Sequence, residues 1–192
     1  MEEEKFPDDF RTYKERNWLQ FTQRPFFHVY VMLAVSLLLS TIFVIVAVSK
    51  VFPCGPNARE WEYSKGKCYY FSLQKTSWMD AKVQCEEKHS RLAIVESMGE
   101  QNFLQTRTRH ERYWIGLSDR DVEGHWTWLD GRDSDSGFTY WARGEPNNDD
   151  RGEDCAHLWG DGKWNDVYCT YPCYYICEKP VLGTSPEHQG RN

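Results

Sequence analysis

The segment from Glu145 to Asp166 holds the residues of this 192-residue chain that are best suited to chemistry. Their side chains offer carboxylate and amide oxygens, which are the donors that a hard cation such as Ca²⁺ prefers. An amide can give its carbonyl oxygen to a metal and its NH₂ group to another acceptor, so alternating acids and amides could also hydrogen-bond the two hydroxyls of a diol. The candidate donors are Glu145, Asn147, Asn148, Asp149, Asp150, Glu153, Asp154, Asp161, Asn165 and Asp166.

A solvated acidic loop is the alternative interpretation of these residues, and no EF-hand spacing is present to decide between the two. The sequence from about Ser118 to Asp154 is rich in Gly, Asp and Asn. An irregular segment of this length in a compact domain is either functional or disordered. Four aromatic residues along it favour an ordered loop, namely Trp126, Trp128, Tyr140 and Trp141.

The elements that must position this loop are indicated by helix caps and apolar runs. Ser77 with Asp80, and Ser97 with Glu100, predict the starts of two helices. Runs of aromatic and branched residues predict strands at residues 68–71, 113–117, 125–129, 155–159 and 173–179.

Seven cysteines, none of them in the first 53 residues, predict disulfide bonds and an oxidising compartment. Zinc is the alternative, but the sequence has no CxxC pair and no His at ligand spacing. The cysteines are Cys54, Cys68, Cys85, Cys155, Cys169, Cys173 and Cys177.

The residues from Val29 to Val48 contain no charge and predict a transmembrane helix, since 20 residues span about 30 Å. A cleaved signal peptide is the alternative, but the apolar run is long and follows more than 20 polar residues. Charges on the two sides nearly balance, so the cysteines decide the orientation and place the C-terminal part outside the cell. Tyr13, on the cytoplasmic side, is either an internalisation signal or phosphosite, or an ordinary tail residue.

The implied organisation is residues 1–24 as a cytoplasmic tail, 25–49 as a signal anchor in the plasma membrane, 50–53 as a short linker, 54–180 as one extracellular domain and 181–192 as a disordered tail. The composition is that of a globular protein, with 40% hydrophobic and 16% aromatic residues. A net charge of −6 and the absence of a basic stripe argue against nucleic acid as a partner.

Five short motifs resemble those of C-type lectin domains in order and spacing: WIGL at 114–117, EPN at 145–147, EDC at 153–155, WND at 164–166 and CEK at 177–179. The resemblance covers about Cys54 to Pro180 and, with the anchor, is greatest to type II hepatic lectins and related endocytic receptors. It implies an α+β fold with two helices, two small antiparallel sheets and a long calcium-binding loop.

The resemblance also implies the roles of individual residues. The principal calcium ligands would be Glu145, Asn147, Glu153, Asn165 and Asp166, which would also form the sugar site, and the peptide bond before Pro146 would be cis. A second calcium would use Asp119, Glu123, Asn148 and Asp154. Val167 and Tyr168 are the candidates for an apolar contact with the sugar ring. The implied disulfides are Cys54–Cys68, Cys85–Cys177 and Cys155–Cys169, which leaves Cys173 as a reactive thiol, a link to another chain, or a buried free thiol.

The function implied by the resemblance is calcium-dependent binding of glycans on glycoproteins or microbial surfaces, followed by endocytosis. In this family EPN accompanies equatorial 3- and 4-hydroxyls, so we expect mannose and N-acetylglucosamine, with fucose as a further candidate, rather than galactose. Protonation of the acidic ligands predicts release at endosomal pH, and His157 either tunes that release or is an ordinary structural residue.

Two other classes of function are alternatives to this one. A lectin-like receptor that binds a protein without calcium would lack the acidic ligands that this chain keeps. A glycosidase would need paired carboxylates, one of them in an apolar pocket, and no such pocket is evident. The short linker contains no heptad repeat that could form a coiled-coil stalk. A homo-oligomer assembled in another way remains an open alternative.

Overall fold

The computed structural model describes residues 26–55, 58–108, 110–149 and 152–181. Tyr13, the predicted cytoplasmic tail and nearly all of the predicted C-terminal tail lie outside these ranges, as does Asp150. The chain divides into two compact units, residues 1–51 and 52–192. The predicted domain boundaries remain predictions.

Helix α1, Phe27–Val51, contains the whole of the predicted membrane span. Its 25 residues extend about 37 Å, which exceeds the hydrocarbon thickness of a bilayer. None of its residues is buried, and Lys50 is the basic residue of its last turn. By length and composition this helix could cross a membrane.

In the described residues, the second unit contains short strands around a mixed sheet, two α-helices and one short 3₁₀ helix, Ser134–Ser136. The α-helices are α2 (Trp78–Glu87) and α3 (Met98–Thr108). The strands are β1 (Trp61–Ser64), β2 (Lys67–Phe71), β3 (Arg91–Leu92), β4 (Tyr113–Ser118), β5 (Thr127–Trp128), β6 (Cys155–Trp159), β7 (Lys163–Val167) and β8 (Tyr174–Pro180).

The main path of the sheet is β1-β2-β8-β4-β6-β7, with β3 paired to β8 and β5 paired to β4. The predicted α+β class is confirmed, but the two antiparallel sheets are joined into one. The link is a parallel pairing of β4 with β8, in which Tyr113 faces Tyr174 and Trp114 faces Tyr175. The paired residues lie far apart in the sequence, so local sequence patterns do not indicate this pairing.

Both helices begin where the capping pairs predict. The Ser77 hydroxyl accepts a hydrogen bond from the Asp80 N–H at 3.2 Å, and the Ser97 hydroxyl accepts one from the Glu100 N–H at 3.3 Å. Each bond satisfies a backbone donor that the first helical turn leaves unpaired.

The core consists of two groups of buried side chains. Trp164, Trp128 and Leu158 belong to the group that lies beneath the long loop. Trp78 and Trp114 belong to the other group, together with four buried cysteines, Cys85, Cys155, Cys173 and Cys177. Their indole N–H groups donate to the carbonyls of Ile115 and Thr76, both at 2.8 Å, so these large rings are buried without an unpaired donor.

Three disulfides are present, and they are the pairs that the resemblance implies: Cys54–Cys68, Cys85–Cys177 and Cys155–Cys169. Cys173 is a free thiol among the described residues, and it is fully buried. Burial raises the pKa of this thiol to about 12. Of the three alternatives for Cys173, the structure therefore favours a buried, unreactive thiol.

Candidate functional site

The hairpin of β6 and β7 carries two of the predicted calcium ligands. The strands pair from Cys155–Val167 to Trp159–Lys163, so Asn165 faces His157 and Asp166 faces Ala156. β7 was missing from the predicted strands, because Asn and Asp are uncommon in strands. The Asp161–Gly162 pair between two strand-like runs is a hairpin signal that would have identified it.

The described part of the long loop is held in place by the aromatic residues that predict its order. The Trp126 ring lies 4.8 Å from Trp141, and Trp141 lies 5.7 Å from Trp164 of β7. Trp128 contacts the same Trp164 ring edge-on at 5.4 Å. These contacts fix both halves of the loop to one strand of the sheet.

Backbone bonds then bring the loop to the end of β7. Trp164 donates to the Tyr140 carbonyl at 2.9 Å, and Ala142 donates to the Trp164 carbonyl at 2.8 Å. The chain turns at Gly144, whose φ of 93° suits glycine, and the Glu145 N–H donates to the Ala142 carbonyl at 3.1 Å. The Glu145–Pro146 peptide bond is cis, as the resemblance implies.

Asp166 is the centre of the site, since it is fully buried and receives the returning loop. The Asn147 N–H lies 3.2 and 3.1 Å from its two carboxylate oxygens, and the Asn148 N–H donates to it at 2.8 Å. Hydrogen bonds from two consecutive backbone donors fix the position of this carboxylate.

The Glu145 carboxyl group has an incomplete set of partners. Its Oε2 is buried and has no hydrogen-bond partner among the described residues. Burial, and then the adjacent Asp166 carboxylate, raise the pKa of Glu145 to about 7, and the Glu153 carboxylate acts in the same direction. Two carboxylates held this close need either a shared proton or a cation.

Asn147 and Glu153 are brought together by one backbone donor. The Asp149 N–H lies 2.8 Å from the Asn147 Oδ1 and 3.0 Å from a carboxylate oxygen of Glu153. The side-chain amide of Asn165 donates to the Asp166 carbonyl. All five predicted principal ligands therefore lie around the junction of the loop with the end of β7.

The four residues predicted for a second calcium also form a connected group. The Asn148 amide donates to Glu123 at 2.6 Å, and its oxygen accepts from the Gly152 N–H at 2.6 Å. Asp119 accepts from the Gly124 N–H at 2.8 Å, and its own N–H donates to the Asp154 carbonyl at 3.2 Å.

Asp119 shows the same deficit of partners as Glu145. The residue is 4% exposed, and its Oδ1 has no hydrogen-bond partner among the described residues. Burial raises the pKa of Asp119, and the carboxylates of Glu123 and Asp154 raise it further.

Val167 and Tyr168 differ in exposure. The side chain of Val167 lies on the inner face of β7, where it packs in the core and is only 6% exposed. It therefore offers little surface to a sugar. Tyr168 is 41% exposed, and its ring lies about 3.5 Å from where a Cβ on Gly152 would be. Of the two candidates, Tyr168 is thus the one whose side chain a sugar ring could contact.

His157 is buried between strands and packs edge-on against Trp114 at 5.9 Å. Burial lowers its pKa to about 4, so the ring is neutral throughout the range from pH 8 to pH 5. Of the two interpretations of this residue, the structure favours a structural histidine.

Asp161 lies in the tight turn between β6 and β7 and forms an ion pair with Lys163 at 2.9 Å. It is thus separated from the other donors by the length of the hairpin. In the described ranges, no three side chains of His, Cys, Asp or Glu form a group arranged to hold a metal. The three carboxylates of the predicted principal set, Glu145, Glu153 and Asp166, are therefore not arranged as such a group in this structure.

Gln101 is a positioning residue that the sequence analysis missed. Its amide nitrogen donates to the Gly162 carbonyl at 2.6 Å, and its oxygen accepts from the Trp164 indole at 2.9 Å. The residue thereby fastens α3 to the hairpin that carries Asn165 and Asp166. Its spacing of three and seven residues from Leu104 and Thr108, which are also buried, places it on the inner face of the helix.

Comparison with known proteins gives one consistent result. The model of the lectin C-type domain matches residues 74–179. The chain is 48% identical to the hepatic lectin of Gallus gallus over 206 aligned residues, which cover 94% of this chain and 99% of that protein.

Two of the similar solved structures are also carbohydrate-recognition or lectin-receptor structures. The carbohydrate-recognition domain of cow CD23, determined in the presence of a GlcNAc2Man3 oligosaccharide, has 36% identity and a TM-score of 0.62, with 67% of this chain and 98% of that chain covered. The trimeric Kupffer cell C-type lectin receptor Clec4f has 31% identity and the same TM-score, with 76% of this chain and 97% of that chain covered.

Proposed function

This chain belongs to the C-type lectin domain family of non-enzymatic carbohydrate-binding proteins, and from this premise we propose that it is a calcium-dependent cell-surface receptor for terminal sugars with equatorial 3- and 4-hydroxyls. Its similarity to the hepatic lectin over nearly the whole of both chains supports a carbohydrate-binding receptor. The sugar class, the metal, the membrane and endocytosis are the proposed parts.

The observation that carries the proposal is the pairing of Glu145 with Asp166. A buried carboxylate oxygen without a hydrogen bond is costly, and a second carboxylate beside it adds repulsion. Burial of this kind is retained where a cation compensates it. Three carboxylates and two amide oxygens also fit the all-oxygen coordination that Ca²⁺ takes.

Glu145, Asn147, Glu153, Asn165 and Asp166 would hold this calcium, which when bound supplies coordination positions for two vicinal hydroxyl oxygens. Asp166 is fixed by the backbone N–H groups of the loop and acts as the rigid part of the site. Glu145 and Glu153 would accept hydrogen bonds from the sugar hydroxyls, while Asn147 and Asn165 would donate to the hydroxyl oxygens. Tyr168 would contact the apolar face of the ring.

The second calcium is a separate part of the proposal. Asp119, Glu123, Asn148 and Asp154 would hold it, and the unpaired buried Oδ1 of Asp119 supports this assignment. In the structure the Asn148 oxygen also binds the Gly152 and Glu153 N–H groups. We therefore expect this part of the site to order the loop rather than to bind sugar.

The proposed location is the plasma membrane, with α1 as the anchor and the second unit outside the cell. The three disulfides require an oxidising compartment, which supports this orientation. Glycoproteins with exposed mannose or N-acetylglucosamine are the proposed cargo, and their endocytosis the proposed outcome. The trimeric state of the similar Kupffer cell receptor supports an oligomer, which would raise avidity for clustered sugars.

The test uses the full chain on cells and albumin conjugated with mannose or with galactose. We expect binding of the mannose conjugate, loss of that binding in EGTA, and inhibition by free mannose or N-acetylglucosamine. Galactose that inhibits as strongly as mannose would refute the sugar class. No glycan binding with or without calcium would favour a receptor for protein ligands instead.

A double substitution tests the residues themselves. Glu145→Gln with Asn147→Asp exchanges the order of acid and amide, so we expect preference to move from mannose toward galactose. Asp161→Asn is the matched control, because it removes a carboxylate of the same segment that pairs with Lys163 outside the site. An unchanged preference in the double variant, with calcium binding intact, would contradict the assignment.

A further inference from the structure

A half-open pocket of about 500 Å³ lies between α2 and strands β2 and β8. None of the predicted calcium ligands lines it, and its volume is within the range of small-molecule sites. It is formed by Tyr70, Leu73, Gln74, Gln84, Glu87, Lys88 and Tyr175.

The partly buried ring of Tyr70 on β2 provides its aromatic surface, and the ring of Tyr175 on β8, only 3% exposed, packs beside it. The rings of Tyr70 and Tyr175 lie 6.2 Å apart at an angle of 46°. The Tyr175 hydroxyl donates to the Gln84 side-chain oxygen at 2.5 Å, which fixes the orientation of this amide. The Lys88 ammonium lies 4.5 Å from the centre of the Tyr70 ring.

The polar groups around these rings have capacity left for hydrogen bonding. Because its oxygen is held by Tyr175, Gln84 keeps an NH₂ group that binds no other described residue. Among the described residues, the Gln74 side-chain amide and the Glu87 carboxylate have no hydrogen bond or ion pair, and the Lys88 ammonium has only its contact with the Tyr70 ring. Donors and acceptors thus converge on one aromatic surface.

The charge and shape of the pocket favour some classes of ligand over others. The lining carries one carboxylate and one ammonium, and the Glu60 carboxylate also acts on Tyr175, so an anion is not favoured. Leu73 is 87% exposed at the rim and adds an aliphatic contact to an otherwise polar and open lining, which does not suit a lipid chain. A sugar combines an apolar C–H face, which packs on aromatic rings, with hydroxyls that both donate and accept.

We infer that this pocket is a second saccharide subsite, one that binds neutral sugars without calcium. From β8 to β7 the sheet passes through β4 and β6, a separation of about 14 Å at the usual spacing of strands. A single sugar ring cannot reach both places. The subsite would therefore bind a different sugar unit or branch of the same glycan and add to avidity. Binding at this subsite does not depend on the calcium site.

The experiment uses the full chain in lipid nanodiscs, since sugar-based detergents would compete. Saturation-transfer NMR in EGTA measures binding of chitobiose and cellobiose, which are neutral, and of sialyllactose, which is anionic. We expect transfer to the neutral disaccharides at millimolar concentration. The Glu87→Ala, Lys88→Ala double variant should bind them about tenfold more weakly.

The matched control is the Lys82→Ala, Glu86→Ala double variant, which removes the same two charges elsewhere on α2. It should bind the neutral disaccharides like the unmodified chain. Absence of transfer in EGTA, an equal loss in both double variants, or binding of sialyllactose alone would each overturn the inference. Calcium-dependent binding of mannose is measured on the same samples, and its failure would count against the proposed function but not against this subsite.

Discussion

Lowering the pH from 8 to 5 should weaken calcium binding, because Glu145 must lose its proton before it can act as a ligand. In the metal-free protein, burial and the adjacent Asp166 carboxylate raise the pKa of Glu145 to about 7. Since the raised pKa favours the protonated form, protons compete with the metal as the pH falls through 7.

The size of the effect follows from that pKa. Competition by one proton divides the apparent affinity by one plus the ratio of protonated to ionised Glu145, which is about 2 at pH 7 and about 100 at pH 5. Calcium affinity should therefore fall about 50-fold between these two pH values. His157 adds nothing over this interval, because burial lowers its pKa to about 4.

The assay is a calcium titration of the binding of a mannose conjugate at half-unit steps from pH 8 to pH 5. Glu145→Gln is the informative variant, since its amide cannot take up a proton. We expect weaker calcium binding at pH 8 and a flatter dependence on pH between 8 and 6. Glu86→Gln, an exposed carboxylate on α2, is the control. If the Glu145→Gln variant keeps the full pH dependence, Glu145 is not the group that titrates, and the reasoning fails.

Three further predictions concern the fold that supports the site. Lys67→Met should lower the free energy of unfolding by about 1.5–3 kcal/mol, because the buried carboxylate of Glu178 loses the lysine 3.1 Å away but keeps Arg91 at 3.0 Å. Urea unfolding measures it, and a change below about 1 kcal/mol would contradict this role of the ion pair. Gly116→Ala should lower the free energy of unfolding by about 1–3 kcal/mol, since its Cβ would lie 2.9 Å from the Leu92 carbonyl oxygen. An unchanged melting temperature would show that β3 and β4 can move apart to make room for the methyl group. Cys173, buried and with a raised pKa, should resist iodoacetamide in the native protein and react after unfolding, as mass spectrometry can show. Rapid native labelling would mean that the thiol becomes accessible.

Much of the local structure could be predicted because its causes are local. Ser77 and Ser97 cap helices through residues three positions away. The strand-like runs at 68–71, 113–117, 155–159 and 173–179 lie almost entirely within β2, β4, β6 and β8. The run at 125–129 was too long, because only two of its residues pair with β4.

The missed strands show where this kind of prediction ends. β1 and β3 have only four and two residues, and they are defined by their pairing with β2 and β8. β7 contains an Asn and an Asp that strands usually exclude. Its position is decided by its pairing with β6 and by Trp164, around which the loop aromatics gather.

The sequence by itself determined which chemical groups are available: oxygen donors in an EPN and WND context, cysteines for disulfides, and an apolar run long enough for a membrane. These properties depend on residue types and short spacings, which the chain carries in any conformation. Only the tertiary structure decided that Glu145, twenty-one residues before Asp166 in the sequence, lies against it with one oxygen unpaired. It also decided that Val167 faces the core and Tyr168 the solvent. Both outcomes follow from sheet pairing and loop closure, which act between residues far apart in the chain and leave no local trace.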